Sequence, residues 1–93
     1  MKLRVPENVR ELIRSAHPHI KRKIRVALAL LVSEPETGKV LRDELAGLRS
    51  YRLGRLWIIY RLQKPGLIDI VAIGPRKTIY EDTFRLLKRE TEK

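Results

Sequence analysis

The chain has no cysteine among its 93 residues. That removes disulfide staples and every cysteine-based metal site, and it is compatible with a reducing cytosol. Long apolar runs are missing too. The longest, Val26 to Val32, is far too short to cross a bilayer, and the N-terminus lacks the apolar stretch of a secretory signal. No repeat, low-complexity segment or linker interrupts the sequence. One domain over residues 1–93 is therefore expected, cytoplasmic and without membrane attachment. Acidic residues are outnumbered: 11 Asp and Glu against 21 Lys and Arg give a formal net charge of +10. Such an excess points to a polyanionic partner, whether nucleic acid, an acidic protein or an anionic surface. With 43% hydrophobic and 34% charged residues, the chain is of globular and not disordered composition.

What is present is organised around Leu48 to Gly74. This stretch reads as a three-stranded antiparallel meander with strands Leu48–Leu53, Leu56–Leu62 and Leu67–Ile73. Gly54-Arg55 suits a two-residue type II′ turn, and Gln63-Lys64-Pro65-Gly66 a second turn. The turns imply a register. Across the first hairpin Leu53 faces Leu56, Arg52 faces Trp57, Tyr51 faces Ile58 and Arg49 faces Tyr60. Across the second, Ile59 faces Ile70, Ile58 faces Val71 and Leu56 faces Ile73. One face then carries Tyr51, Leu53, Leu56, Ile58, Tyr60, Val71 and Ile73, as a core face should. The other carries Ser50, Arg52, Trp57, Arg61, Ile59 and Ile70. Arginines are rarely placed on a buried face, so this one is expected to be open in part and to be the working surface.

Upstream, Lys2 to Val5 reads as an edge strand. Val9, Leu12, Ile13 and Ala16 recur at helical spacing after Pro6, and Ile20, Ile24, Ala27, Leu28 and Leu31 do so after Pro18. The result is an αα-hairpin laid on the core face. Lys21, Arg22, Lys23 and Arg25 oppose the dipole of the second helix, so packing must hold it. They form either a solvated face or a contact for RNA or an acidic partner protein. Lys39 to Ala46 reads as irregular or as one helical turn. Downstream, Thr78 with Glu81 fits a capping box for a C-terminal helix running to about Lys88, with Tyr80, Phe84 and Leu87 along one stripe. The charge run beyond is expected to fray. The fold class is thus α+β: a small antiparallel sheet, made of an N-terminal strand plus the meander, packed on an αα-hairpin, with a C-terminal helix.

Few residues suggest chemistry. His17 and His19 flank Pro18 with no Cys, Asp or Glu at ligand spacing, and they read as structural; no metal or cofactor is expected. Arg76 and Lys77 sit where a strand ends and a helix begins, which favours an anion. Trp57 suits stacking on an unpaired base, or a cross-strand cation–π pair with Arg52.

Gly38-Lys39-Val40-Leu41 through Glu44-Leu45-Ala46-Gly47-Leu48, Tyr51-Arg52-Leu53-Gly54, Ile58-Ile59-Tyr60-Arg61, Gly74-Pro75-Arg76 and Ile79-Tyr80-Glu81 together resemble the RelE/ParE superfamily of toxins from type II toxin–antitoxin modules. The order of elements is similar over nearly the whole chain. The resemblance implies an acidic cognate antitoxin, with which the toxin forms a hetero-oligomer. It also implies, for RelE-like members, metal-independent cleavage of mRNA on the ribosome. Residues implied for catalysis are Arg52, Arg76 and Tyr80, and for RNA binding Arg49, Ser50, Trp57, Arg61 and Lys77. Ser50 and Trp57 stand where the family pattern has basic residues. Two further classes stay open: a ParE-like poison of DNA gyrase, and a member that keeps antitoxin binding alone.

Overall fold

A computed structural model describes residues 2–63 and 66–91. Strands β1 (Lys2–Arg4), β2 (Lys39–Val40), β3 (Arg49–Leu53), β4 (Leu56–Gln63) and β5 (Leu67–Pro75) combine with helices α1 (Glu7–Ser15), α2 (Pro18–Ser33) and α3 (Arg76–Thr91). The strands form one sheet in the order β1-β5-β4-β3-β2. The α1–α2 hairpin covers one face and α3 lies on the other, an α+β arrangement.

The sheet is mixed where an all-antiparallel one was expected. β1 runs parallel to β5, with Leu3 opposite Ile68, because the α1–α2 hairpin carries the chain to the far edge and reverses it into β2, and three further antiparallel turns bring β5 back to the direction of β1. The stretch after Gly38, expected to be irregular or helical, begins with β2 paired to β3. It then makes a single 3₁₀ turn over Asp43–Leu45.

The first hairpin has the expected register, with Arg52 opposite Trp57 and Arg49 opposite Tyr60. Gly54 has φ +63°, the positive value a type II′ turn needs at its first central residue. The second hairpin is shifted. Tyr60 pairs with Ile70 and Ile59 with Ala72, so Val71 is an extra residue on β5. Ile70 consequently joins the helical-hairpin face and Val71 the α3 face, the reverse of the expectation. Lys64 and Pro65 of the expected second turn, and the terminal Glu92 and Lys93 expected to fray, lie outside the described residues.

Beneath the hairpin, Ile24, Leu31, Ile58, Tyr60 and Ile68 are fully buried with Val9, Ala27 and Ile70. Truncating Ile58 to Ala would cost about 2–5 kcal/mol at such a site. Beneath α3, Leu48, Ile59, Val71 and Ala72 pack with Ile79, and Trp57, Tyr80, Leu86 and Leu87 flank them. The face expected to be open is therefore largely covered, and it stays accessible at the end that carries Arg52. α3 starts directly from β5 at Arg76, so Thr78, expected as a cap, lies within the helix. His17 caps α2, its Nδ1 accepting from the His19 N–H at 3.2 Å, and Pro18 takes the first helical position.

Candidate functional site

Three strands meet in one row on the α3 side of the sheet: Arg52 on β3, Trp57 on β4 and Gly74 on β5. Adjacent members of such a row lie about 5 Å apart. Two residues past Gly74 the strand becomes α3 with no intervening loop, and Arg76 is its first residue. Gly74 lets the first turn of α3 sit close against the end of β5. A Cβ there would approach Ile79 Cδ1 to 3.3 Å, and Ile79, only 1% exposed, anchors the first turn of α3. Tyr80 follows Arg76 by four residues, so the two share a helix face. The Tyr80 ring meets Trp57 at 6.5 Å between centroids, tilted by 49°.

Arg52, Arg76 and Lys77 are exposed, and Trp57 and Tyr80 half-buried. The Arg52 Nε donates to the Gly54 carbonyl at 3.2 Å, which turns its guanidinium towards the hairpin tip. Lys77 adds a second cation in the first turn of α3, where backbone N–H groups and the helix dipole also favour negative charge. The arrangement offers guanidinium groups for phosphate oxygens and aromatic faces for bases.

The other sequence-predicted contacts are elsewhere. Arg49 shares the face of Tyr60, and its Nη1 donates to the carbonyls of Gly38 at 3.0 Å and Glu36 at 3.3 Å. Ser50 is 2% exposed, out of reach of any RNA in this conformation, and its Oγ has no partner among the described residues. Arg61 lies four residues along β4 from Trp57, about 13 Å away at strand rise. Its Nε donates to Asp69 Oδ2 at 3.0 Å.

Asp69 was not anticipated. Arg4 grips the same carboxylate through Nε and Nη2, both at 3.1 Å. Burial pushes the Asp69 pKa up, but the hydrogen bonds and charges of Arg4 and Arg61 outweigh it and hold the carboxyl below its ordinary value. The group ties β1, β5 and β4 together. Tyr60 was foreseen only as core. Its hydroxyl accepts from the Gly38 N–H and donates to the Pro35 carbonyl, both at 2.8 Å. Burial raises its pKa, and the Gly38 bond and the charge of Arg49 oppose the rise.

Among the described residues no group of three or more His, Cys, Asp or Glu is placed to hold a metal ion. No helix there is long and apolar enough to cross a membrane.

With this geometry in view, the comparisons with known proteins are specific. Residues 4–80 match the family of ParE toxins of type II toxin–antitoxin systems (parDE). The chain belongs to that toxin family. The match spans β1 through the first turns of α3 and so includes Arg52, Trp57, Arg76 and Tyr80. Among solved structures, the toxin–antitoxin complex RelBE2 from Mycobacterium tuberculosis is similar, with a TM-score of 0.70 and 29% sequence identity. The similarity covers 81% of this chain and 96% of that one. No curated protein matches the sequence. The ParE-family toxin thus carries its cationic and aromatic cluster at the β5–α3 junction.

Proposed function

We propose that this toxin stops translation by cutting mRNA on the ribosome, at the cluster formed by Arg52, Trp57, Arg76 and Tyr80. The observation that supports the reading is the Trp57–Tyr80 ring contact at the end of the sheet where Arg52, opposite Trp57, and Arg76, one turn before Tyr80, are exposed. In the reaction an RNA 2′-hydroxyl attacks its neighbouring phosphorus. The bond to the 5′-oxygen breaks, the proton of the 2′-hydroxyl leaves, and the 5′-oxygen takes one up, giving a 2′,3′-cyclic phosphate and a free 5′-hydroxyl. Arg52 and Arg76 stabilise the charge on the five-coordinate phosphorus. Tyr80 either stacks on a base or supplies the proton to the leaving oxygen. The cluster contains no evident general base, and alignment of the substrate by the ribosome supplies the remaining rate.

The partner on this reading is an acidic antitoxin. A groove between α2 and β3 suits it, because Arg22 and Lys23 line it with Val26, Leu30 and Tyr51, and no acidic residue does. Val26 is 66% exposed there. The +10 charge gives fast, salt-sensitive association.

Primer extension on cellular mRNA after induction tests the proposal. Discrete cleavage within translated regions supports it, and intact mRNA in arrested cells overturns it. The ParE description of the matching family favours a second reading, poisoning of DNA gyrase. A supercoiling assay with purified gyrase distinguishes the two. Silence in both assays with tight antitoxin binding would leave a toxin that retains only its partner.

A further inference from the structure

We propose that the groove between the Asp43–Leu45 turn and α3 is a nucleotide subsite, which holds one base of single-stranded RNA against Phe84 next to the Arg52–Trp57–Arg76–Tyr80 cluster. The inference rests on the RNA-cleavage reading and adds a place where sequence would be read. The groove has a volume of about 600 Å³, within the roughly 300–1,000 Å³ of clefts that take small ligands.

Phe84 is the only phenylalanine of the chain, and it is 46% exposed. That is unusual on a helix whose Ile79, Leu86 and Leu87 all turn towards the sheet. Residues four apart on a helix share a stripe, so Arg76, Tyr80, Phe84 and Lys88 run in line along α3. Trp57 joins the line through its ring contact with Tyr80. Three of the chain's five aromatic residues thereby lie on one side of α3, and Tyr80 belongs both to the cluster and to the groove wall. Aromatic faces stack on any base.

The polar lining supplies the other parts of a nucleotide site. Arg85 and Lys88 stand on the α3 side of the groove; Arg85 also lies 4.0 Å from Asp82 in an exposed i,i+3 pair, so a phosphate would share its guanidinium with that carboxylate. Glu44 and Glu81 offer carboxylates, which accept from the exocyclic amino groups of cytosine, adenine or guanine and find none on uracil. This balance of two acids and two bases also separates the groove from the α2–β3 groove, which is lined by cations without acids. An acidic peptide would meet repulsion from Glu44 and Glu81, whereas a nucleotide uses both signs.

The test is equilibrium binding of fluorescent single-stranded octaribonucleotides, oligo(A), oligo(C), oligo(G) and oligo(U), to the purified toxin at fixed salt. Phe84→Ala is expected to weaken binding about 5- to 150-fold, the range of one lost stacking contact, and Phe84→Tyr to restore it. Glu44→Gln and Glu81→Gln are expected to reduce the preference for oligo(A) and oligo(C) over oligo(U). Thermal melting separates loss of the contact from loss of the fold. Unchanged RNA binding by a folded Phe84→Ala protein would overturn the subsite alone. Loss of antitoxin binding with RNA binding intact would also overturn it and mark the groove as a peptide site. A wild-type toxin that binds none of the oligomers and inhibits gyrase would overturn the underlying cleavage reading, and the subsite with it.

Discussion

The Tyr60 hydroxyl accepts a hydrogen bond from the Gly38 N–H at 2.8 Å across 22 positions of sequence. Through it the centre of the sheet fixes the loop that leads from α2 into β2. Gly38 is glycine for lack of room: a Cβ there would stand 2.7 Å from Tyr60 Cε1 and 2.9 Å from Cζ. Gly38→Ala should therefore destabilise the protein by about 1–3 kcal/mol, the usual cost of overpacking. Tyr60→Phe should cost about 1–3 kcal/mol by leaving the buried Gly38 N–H without its acceptor. Urea denaturation of both variants measures this, and wild-type midpoints would contradict the account.

Asp69 sets the acid limb of stability. Its carboxyl is held below the ordinary value in the folded chain, so its contribution is fully present above the unfolded-state pKa of about 3.9. That contribution is lost as pH falls through the lower, folded value. Asp69→Asn should remove about 1–3 kcal/mol at neutral pH, the scale of hydrogen bonds to charged groups. It should also flatten the acid limb of a stability profile below pH ~4. Chemical denaturation followed across pH reports both effects.

Ser50 gives a prediction of opposite sign. Its hydroxyl is buried without a partner among the described residues, and an unsatisfied buried group costs about 1–3 kcal/mol. Ser50→Ala should melt at the wild-type temperature or above it, with toxicity unchanged. A marked loss of toxicity in a stable Ser50→Ala protein would show that this position is uncovered in the active state.

How much of this was legible in the sequence depended on where the signal lay. A two-residue turn at Gly54-Arg55 leaves no freedom, so the whole first hairpin could be read, including Arg52 opposite Trp57. The second hairpin could not be read by alternation, because Ile70, Val71, Ala72 and Ile73 are all apolar. Nothing in that run marks Val71 as the extra residue. A charge signal was available: pairing Arg61 with Asp69 as cross-strand partners yields the observed register at that end of β4. The same blind spot explains Arg61, which is held by a carboxylate that the assumed register did not place beside it. Arg49 was legible as a residue of the Tyr60 face, since the first hairpin already set the two opposite each other. Ser50 could not be known to be buried until the packing over its face was known.

Arg76→Ala should lower mRNA cleavage on ribosomes about 10²–10³-fold, the scale for loss of one preorganised transition-state contact. Fold and antitoxin binding should be unaffected, because Arg76 is exposed. Tyr80→Phe should cost as much if its hydroxyl is the proton donor and far less if the ring only stacks. Trp57→Arg adds a guanidinium beside Arg52 and should raise cleavage. Wild-type cleavage by Arg76→Ala would move the reaction centre away from the β5–α3 junction.

Binding of an acidic antitoxin to the α2–β3 groove should weaken at least ten-fold in Val26→Asp, which puts a buried charge into an apolar contact. Binding of the wild-type toxin should weaken as salt is raised. Titration calorimetry at two ionic strengths checks both, and equal affinities across salt would count against electrostatic recognition.

The parallel pairing of β1 with β5 has a consequence for the order of synthesis. β1 must wait for β5: Arg4 finds Asp69 across 65 positions. β5 then inserts between β1 and β4, in the interior of the sheet. A nascent chain lacking β5 has neither a closed core nor the junction that carries Arg76 and Tyr80. On the cleavage reading, a nascent chain that has not yet made β5 and the start of α3 lacks the proposed reaction centre.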